Sequence, residues 1–415
     1  MTTIEQLAIN GGPKAKTTPY GESKRFLDNE LKYLEEALNQ NTLFYGFGEL
    51  TKRACAKMVE YTGRPYIVPC SSGTAAIHLG LIACGVGPGD EVITTPNTDS
   101  GTIIGVMAEG CVPVFCDPEY SLQPSAAAIE AKITDRTKAV VIVHLAGYPA
   151  PMDEIMELCN ARGIGVVEDC AQSWGARIGD RLVGTWGTAG CYSVNDFKHI
   201  SAGDGGFVAL EDESLYRRVS NYSDKHYDRM FDRSQMRAHH AMNYRMTELQ
   251  GAVALAQLEK VNAITDRQNM LGDRLFSQIQ DVPGAQYMDV VPGAHATYWW
   301  TVIMVKPDEL TADRDKVIEA LQHEGISCGS YGKYDLIDSP LFQTRIARPW
   351  LNDDRKYFPF VQPDGRSYEY HITDTPRHRD QLARGIMLTI KSHFTEQDID
   401  ETAEALRKVF TAYAK

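Results

Sequence analysis

The order of apolar runs predicts an α/β fold: a large domain on a mostly parallel sheet, then a smaller α+β domain. Three observations carry this. From Ile67 to Leu210 short apolar runs alternate with stretches of helical spacing, and such alternation calls for a parallel sheet covered on both faces. The chain has 415 residues, more than one core usually serves, so two domains sharing a cleft are expected. Beyond Arg245 the alternation gives way to a long helical stretch, a strand, a helix, a short strand and a closing helix. The expected division is 1–255, an N-terminal arm with the large domain, and 256–415, the small domain.

The elements follow in order. Met1 to Gly21 reads as an extended arm. Helical spacing recurs over Lys24–Asn39 (Phe26, Leu31, Leu34, Leu38), is broken by T-L-F-Y-G-F-G, and resumes over Leu50–Tyr61. In the alternating region, strands are expected over Glu91–Thr95, Val112–Cys116, Lys138–Leu145 and Ile164–Glu168. Helices are expected over Gly73–Cys84, Gly101–Glu109, Pro124–Ile133 and Met152–Arg162. Gly190–Val194 and Phe207–Leu210 read as strands and Ser214–Asn221 as a helix. Arg245–Val261 is strongly helical and continues to about Ile279. Thr297–Val305 is a strand, Ala312–Gly325 a helix and Ile326–Gly329 a strand. Thr395–Ala412 closes the chain as an amphipathic helix, with Thr395 as cap and Asp398 three residues on.

Composition removes several classes. A net charge of −13 argues against nucleic acid and anionic membranes as partners, though local basic residues can still meet a phosphorylated ligand. No apolar run is long enough to span a bilayer, and M-T-T-I-E-Q-L-A-I-N-G-G lacks the pattern of a signal peptide. The nine scattered cysteines, without a C-x-x-C pair, read as reduced thiols. The expected location is the cytoplasm.

Chemistry concentrates in Cys191–Gly206, C-Y-S-V-N-D-F-K-H-I-S-A-G-D-G-G. Lys198 lies between two apolar runs beside Gly203, Gly205 and Gly206, where packed structure can desolvate it. A desolvated lysine loses basicity and becomes a nucleophile able to form Schiff bases. G-I-G-V-V-E-D (163–169) looks like a buried strand ending in the carboxylate of Asp169. C-S-S-G-T-A-A-I (70–77) looks like a turn opening a helix whose first N–H groups could hold a phosphate. A Schiff-base lysine, a buried carboxylate and a phosphate cradle together describe a pyridoxal phosphate site.

At these residues the chain resembles the DegT/StrS family of aminotransferases, which act on keto-sugars and keto-cyclitols, over nearly its whole length. The resemblance implies fold-type I of the pyridoxal phosphate enzymes, similar to aspartate aminotransferase. Lys198 matches the family's lysine in S-x-x-x-x-K followed by G-[DE]-G-G; a related branch has histidine there and dehydrates its substrate. Asp169 in E-D-C-A-Q-S matches the acid that pairs with the pyridine nitrogen, and Gln172 the residue near the ring hydroxyl. Gly73 and Thr74 match the S-G-T phosphate turn, and Ser193 a phosphate hydroxyl. Asn243 in N-Y-R-M matches a residue that reaches the cofactor of the neighbouring subunit, which implies a homodimer with shared sites; it could also cap the helix beginning near Met246. Two positions depart from the pattern. Ser100 stands where an aromatic usually covers the ring face, and Trp174 stands where histidine is frequent, a position better suited to core packing. The implied function is transfer of an amino group from L-glutamate or L-glutamine through Lys198 and the pyridoxamine form of the cofactor (pyridoxal 5′-phosphate, PLP/PMP). The expected acceptor is a keto-sugar, narrowly a nucleotide-linked one; a keto-cyclitol or free keto-sugar is the alternative. Dehydration, epimerisation and a non-catalytic regulatory role on the same fold are the rivals. The polar stretch Lys225–Arg245, with Arg229, Arg233, Arg237 and Arg245 among three aspartates, is either a solvated loop or a loop touching an anionic substrate. His239 and His240 have no companions at metal spacing, and no metal is expected.

Overall fold

The computed structural model describes residues 3–229, 239–332 and 335–415. Nine strands come from the N-terminal half. They are β1 (Tyr66–Cys70), β2 (Glu91–Thr94), β3 (Val112–Phe115), β4 (Thr137–Val143), β5 (Gly165–Asp169), β6 (Arg177–Ile178), β7 (Arg181–Leu182), β8 (Ala189–Ser193) and β9 (Gly206–Leu210). Seven form one sheet in the order β1-β9-β8-β5-β4-β2-β3. The pairs from β8 to β3 are parallel, and only β9 is reversed, antiparallel to both β8 and β1. Strands β8 and β9 are buried at every position and β5 at all but its first. Such continuous burial is what a sheet covered on both faces requires.

The Gly73–Cys84 helix shows how the cover fits. Ser72 caps it, its Oγ accepting from Ala75 N at 3.1 Å, and Gly85 ends it in the left-handed region. The helix is apolar nearly all round and lies directly on β5 and β8. A Cβ at Gly80 would stand 2.8 Å from both Cys191 Sγ and Val167 Cγ1, so glycine sets this close approach.

The C-terminal half holds β10 (Ala285–Tyr287), β11 (Ala294–His295), β12 (Thr301–Val305), β13 (Cys328–Ser330) and β14 (Gly385–Leu388). Four make an antiparallel sheet, β10-β12-β14-β13, while β11 pairs with β6 in a small sheet completed by β7. Helices Val261–Ile279, Arg314–His323 and Glu396–Tyr413 share a core with it through Leu271, Leu275, Val302, Leu321 and Phe410. The last helix carries the expected capping box, with Thr395 Oγ1 accepting from Asp398 N. The N-terminal arm packs on this half: Leu7 is in its core, and the buried Lys16 ammonium meets Asp398 at 2.5 Å and Glu401 at 2.9 Å.

Three expectations are corrected. The strand read over Thr297–Val305 begins only at Thr301. Thr297 N and Trp299 N donate to Gly147 O and Ala146 O, each at 2.9 Å, and Tyr298 lies at φ 44°, so 297–300 follows the turn after β4. The helix read from Arg245 to Ile279 is two, Glu248–Leu258 and Val261–Ile279; at the joint Gln257 Nε2 and Lys260 Nζ both reach Glu30 Oε1 at 2.6 Å. Thr247, not Asn243, caps the first of these, accepting from Gln250 N. All nine cysteines are free, and no helix among the described residues is long and apolar enough to cross a membrane.

Candidate active site

The parallel strands deliver their C-terminal ends to one edge of the sheet, where open α/β sheets bind ligands. Asp169 ends β5 and Ser193 ends β8. The turn Ser71–Ser72 follows β1, Thr95–Ser100 follows β2, and Ala146–Gly147 lies after β4. The link from β8 to β9 crosses the same edge and carries Lys198.

That link is held as a fixed loop. Ser193 Oγ accepts from Asn195 N at 3.2 Å, Asn195 Oδ1 from Phe197 N at 3.2 Å, and Asn195 O from Lys198 N at 3.0 Å. Ala202 N returns to Val194 O at 2.8 Å. From the far N-terminus, Arg25 donates to the carbonyls of Asp196 and Lys198. The Lys198 ammonium lies 4.4 Å from the centre of the Trp299 ring. Burial pulls it below the ordinary lysine range; the charges of Asp169 and Asp99 oppose that shift without cancelling it. A lysine shifted in this direction gives up its proton more readily than an exposed one.

Two adjacent carboxylates are handled in opposite ways. Glu168 is buried, which opposes its ionisation. Yet His144 Nε2 at 3.1 Å and the N–H groups of Gly187 at 2.6 Å and Gly184 at 2.7 Å surround it, and together they hold it below the usual carboxylate range. It is a clamp for the 184–187 turn. Cys170 lies beside this His144–Glu168 pair, but the carboxylate oxygens are already spent on backbone donors. Asp169 has only neutral partners: Ala171 N at 3.0 Å and the Thr102 hydroxyl at 2.9 Å, itself 2.8 Å from the Thr98 hydroxyl. Burial raises its pKa, and those bonds and the charge of Lys198 only moderate the rise. Asp169 is thus a buried carboxylate without an ion-pair partner among the described residues, and a protonated ring nitrogen would supply one.

Gly73 opens the helix beside Ser193. A Cβ on Gly73 would stand 2.6 Å from Ser193 Cβ and 2.8 Å from its Oγ, so only glycine leaves this cradle open. Thr74 lies next to Gly101, whose added Cβ would meet Thr74 Oγ1 at 2.8 Å. The chain therefore brings a helix N-terminus and two hydroxyls together, a donor set suited to phosphate. Gln172 is buried and its Oε1 accepts from Ala146 N at 2.9 Å. Cradle, unpaired carboxylate and desolvated lysine together fit pyridoxal phosphate.

The remaining expectations fall differently. Trp174 is fully buried between Tyr61 and Tyr192, a core residue as anticipated. Its indole also donates to Ser193 O at 2.9 Å, bracing the cradle strand. Ser100 is exposed just ahead of the Gly101–Ala108 helix and offers no ring face. Asn243 is exposed. In the polar stretch, Asp224 is buried and takes Arg245 Nη1 at 2.9 Å, the Tyr45 hydroxyl at 2.9 Å and Arg229 as well. Both arginines are thus already engaged by one carboxylate. Arg233 and Arg237 lie outside the described residues. Thr102 against Asp169, Trp299 and Arg25 against Lys198, and Lys391 on the same Trp299 ring are neighbours that the sequence reading did not select. Only Thr102 carried a local signal, as the second residue of the helix after β2.

A model of the DegT/DnrJ/EryC1/StrS aminotransferase family matches residues 25–350. GDP-perosamine synthase of Escherichia coli O157:H7 is 32% identical over 296 residues, covering 70% of this chain and 80% of that protein. L-glutamine:scyllo-inosose aminotransferase of Streptomyces griseus is 28% identical over 375 residues, covering 86% of this chain and 88% of that protein. Among solved structures, an aminotransferase from Psychrobacter cryohalolentis superposes with a TM-score of 0.79 at 26% identity, covering 95% of this chain and all of that one.

Proposed function

From the premise that this chain belongs to the DegT/DnrJ/EryC1/StrS aminotransferase family and is a pyridoxal phosphate enzyme, we propose that it moves an amino group from L-glutamine or L-glutamate to a polyhydroxylated cyclic ketone. The observation that carries the proposal is Lys198, a desolvated amine in the electrostatic reach of Asp169. When bound, the cofactor supplies the electron sink that lets an amino group leave one carbon skeleton and enter another. The protein's own groups do the rest. Lys198 takes a proton from the carbon bearing the donor's amine and returns it during transfer, as general base and then acid. Asp169, oriented by Thr102 and Ala171, would hold positive charge at the ring nitrogen. Gly73, Thr74 and Ser193 would hold the phosphate, and Gln172 would steady the ring. Ser100, exposed at the end of the 95–100 turn, would have no aromatic face to lay on the ring.

Two considerations favour an acceptor without a nucleotide, a keto-cyclitol or free keto-sugar, over the nucleotide-linked sugar expected from the sequence. Arg229 and Arg245, the described arginines of the basic stretch, are paired with Asp224. The similarity to the scyllo-inosose aminotransferase runs over more of the chain than the similarity to the GDP-sugar enzyme. The test has two steps. L-Glutamine or L-glutamate should bleach the yellow holoenzyme, and an inosose-type ketone should restore the colour at a rate insensitive to salt. A rate that falls steeply as salt screens phosphate contacts, with Arg229→Ala raising the acceptor KM, would establish the nucleotide-linked reading instead. Loss of water or inversion without pyridoxamine phosphate would favour a dehydratase or epimerase.

We further propose a homodimer in which Asn243 serves the partner's site; its exposure on the single chain supports this. Mixing inactive Lys198→Ala protomers with Asn243→Ala protomers should partly restore activity, because one site of each hybrid carries both defects and the other neither. No recovery after demonstrated subunit exchange rules out shared sites.

A further inference from the structure

Lys198 has a second lysine for a neighbour. Lys391, from the segment just after β14, points its ammonium at the same indole: its Nζ lies 5.9 Å from the centre of the Trp299 ring, and Lys198 Nζ lies 4.4 Å from it. The pair is built in. Trp299 Nε1 donates to Phe197 O at 2.9 Å, which fixes the ring against the Lys198 loop. The buried amide of Gln268 donates both to Tyr298 O at 2.7 Å and to Ile390 O at 2.6 Å, tying the residue before Trp299 to the residue before Lys391. Elements from both sheets therefore converge on one side of the reactive amine.

The charges acting on Lys391 are one-sided. Lys391 is half-buried, and no ion pair or hydrogen bond of its ammonium is found among the described residues. Besides burial, the charges acting on it are those of Arg25 and Lys198, both positive, and together these pull it below the ordinary lysine range. Arg25 spends its guanidinium on backbone carbonyls, with Asp196 no nearer than 3.9 Å. A chain with a net charge of −13 thus keeps a cationic corner beside its working lysine. A partly desolvated cation with cations for neighbours is unfavourable until an anion joins it.

The proposed chemistry brings one anion to this place in every cycle. An amino-acid donor bears its carboxylate on the same carbon from which Lys198 takes a proton, so the group binding that carboxylate must stand close to Lys198. A ketone acceptor carries no anion there. We propose that Lys391 binds the α-carboxylate of the amino donor against the wall formed by Trp299, and so selects amino acids over simple amines. This rests on the aminotransferase reading.

The test uses the holoenzyme and two probes that cannot react. Glutaramate is L-glutamine without its amino group, and glutaramide is the same skeleton with the carboxylate replaced by a neutral amide. By calorimetry, Lys391→Met should weaken glutaramate binding roughly ten- to a hundredfold, the scale of a lost charge-assisted hydrogen bond, and leave glutaramide binding alone. Lys391→Arg should recover most of the loss. In the donor half-reaction, wild type should prefer L-glutamine to its α-amide, and Lys391→Met should lose that preference. Equal weakening of both probes, or an unchanged preference in Lys391→Met with normal cofactor absorbance, overturns the assignment. If neither amino acid bleaches the wild-type holoenzyme, the aminotransferase reading fails, and the calorimetric comparison still decides the role of Lys391.

Discussion

Lys198→Ala should abolish turnover. Losing the proton carrier alone removes on the order of 10²–10⁴ in rate, and losing the amine that holds the cofactor removes the remainder. Lys198→Arg is the informative companion. Arginine keeps the positive charge beside Trp299 but stays protonated in proteins, so it should be as inactive as alanine. The fold should survive both changes, because the ammonium makes no ion pair among the described residues and lies over the face of Trp299. Single-turnover absorbance with L-glutamine measures the effect. Substantial turnover in either variant would mean that another group moves the proton.

Asp169→Asn should lower turnover by about 10²–10³, the scale of removing one preorganised electrostatic partner. The variant keeps the shape and an oxygen for Ala171 N, and loses the charge that holds a proton on the ring nitrogen. The same substitution should act on stability in the opposite sense when no cofactor is bound. Burial raises the Asp169 pKa in the folded chain. A carboxyl raised in this way favours folding while protonated, below its unfolded pKa, and that contribution is lost as pH rises through the folded value. At neutral pH the cofactor-free wild type therefore carries a cost that asparagine removes. Cofactor-free Asp169→Asn should melt above wild type at neutral pH, with the gap closing as pH falls toward the ordinary aspartate range. Near-normal turnover, or a lower melting temperature at neutral pH, would mean that another group holds the ring or that the carboxylate is paired.

What was legible in the sequence follows from range. The Gly73–Cys84 helix, the apolar strands expected between Glu91 and Leu210 and the closing capping box are written in consecutive residues, and the structure has them within a residue or two of their expected ends. Lys198, Asp169 and Gly73 were legible because each sits at the end of such a local pattern. The far side of the site was not. Trp299 read as part of a strand, since Y-W-W-T-V-I-M-V is apolar and aromatic, and only the hydrogen bonds to Ala146 and Gly147 turn it into a loop facing Lys198. Strand β14 is four residues long and announced by nothing nearby, so Lys391 just beyond it had no visible context. Arg25 reaches the Lys198 carbonyl across 173 positions of chain. The basic stretch misled for a related reason. Its charges are plain in sequence, but the pairing of Arg229 and Arg245 with buried Asp224 appears only when the chain folds back on itself.

Everything proposed for this site turns on whether Lys198 carries the cofactor. Reducing the holoenzyme with borohydride, then digesting it and reading the peptides by mass spectrometry, tests this directly. The cofactor-derived mass should appear on the peptide containing Lys198 and on no other lysine. Label on Lys391, on any third lysine, or on none in a protein shown to be loaded would contradict it.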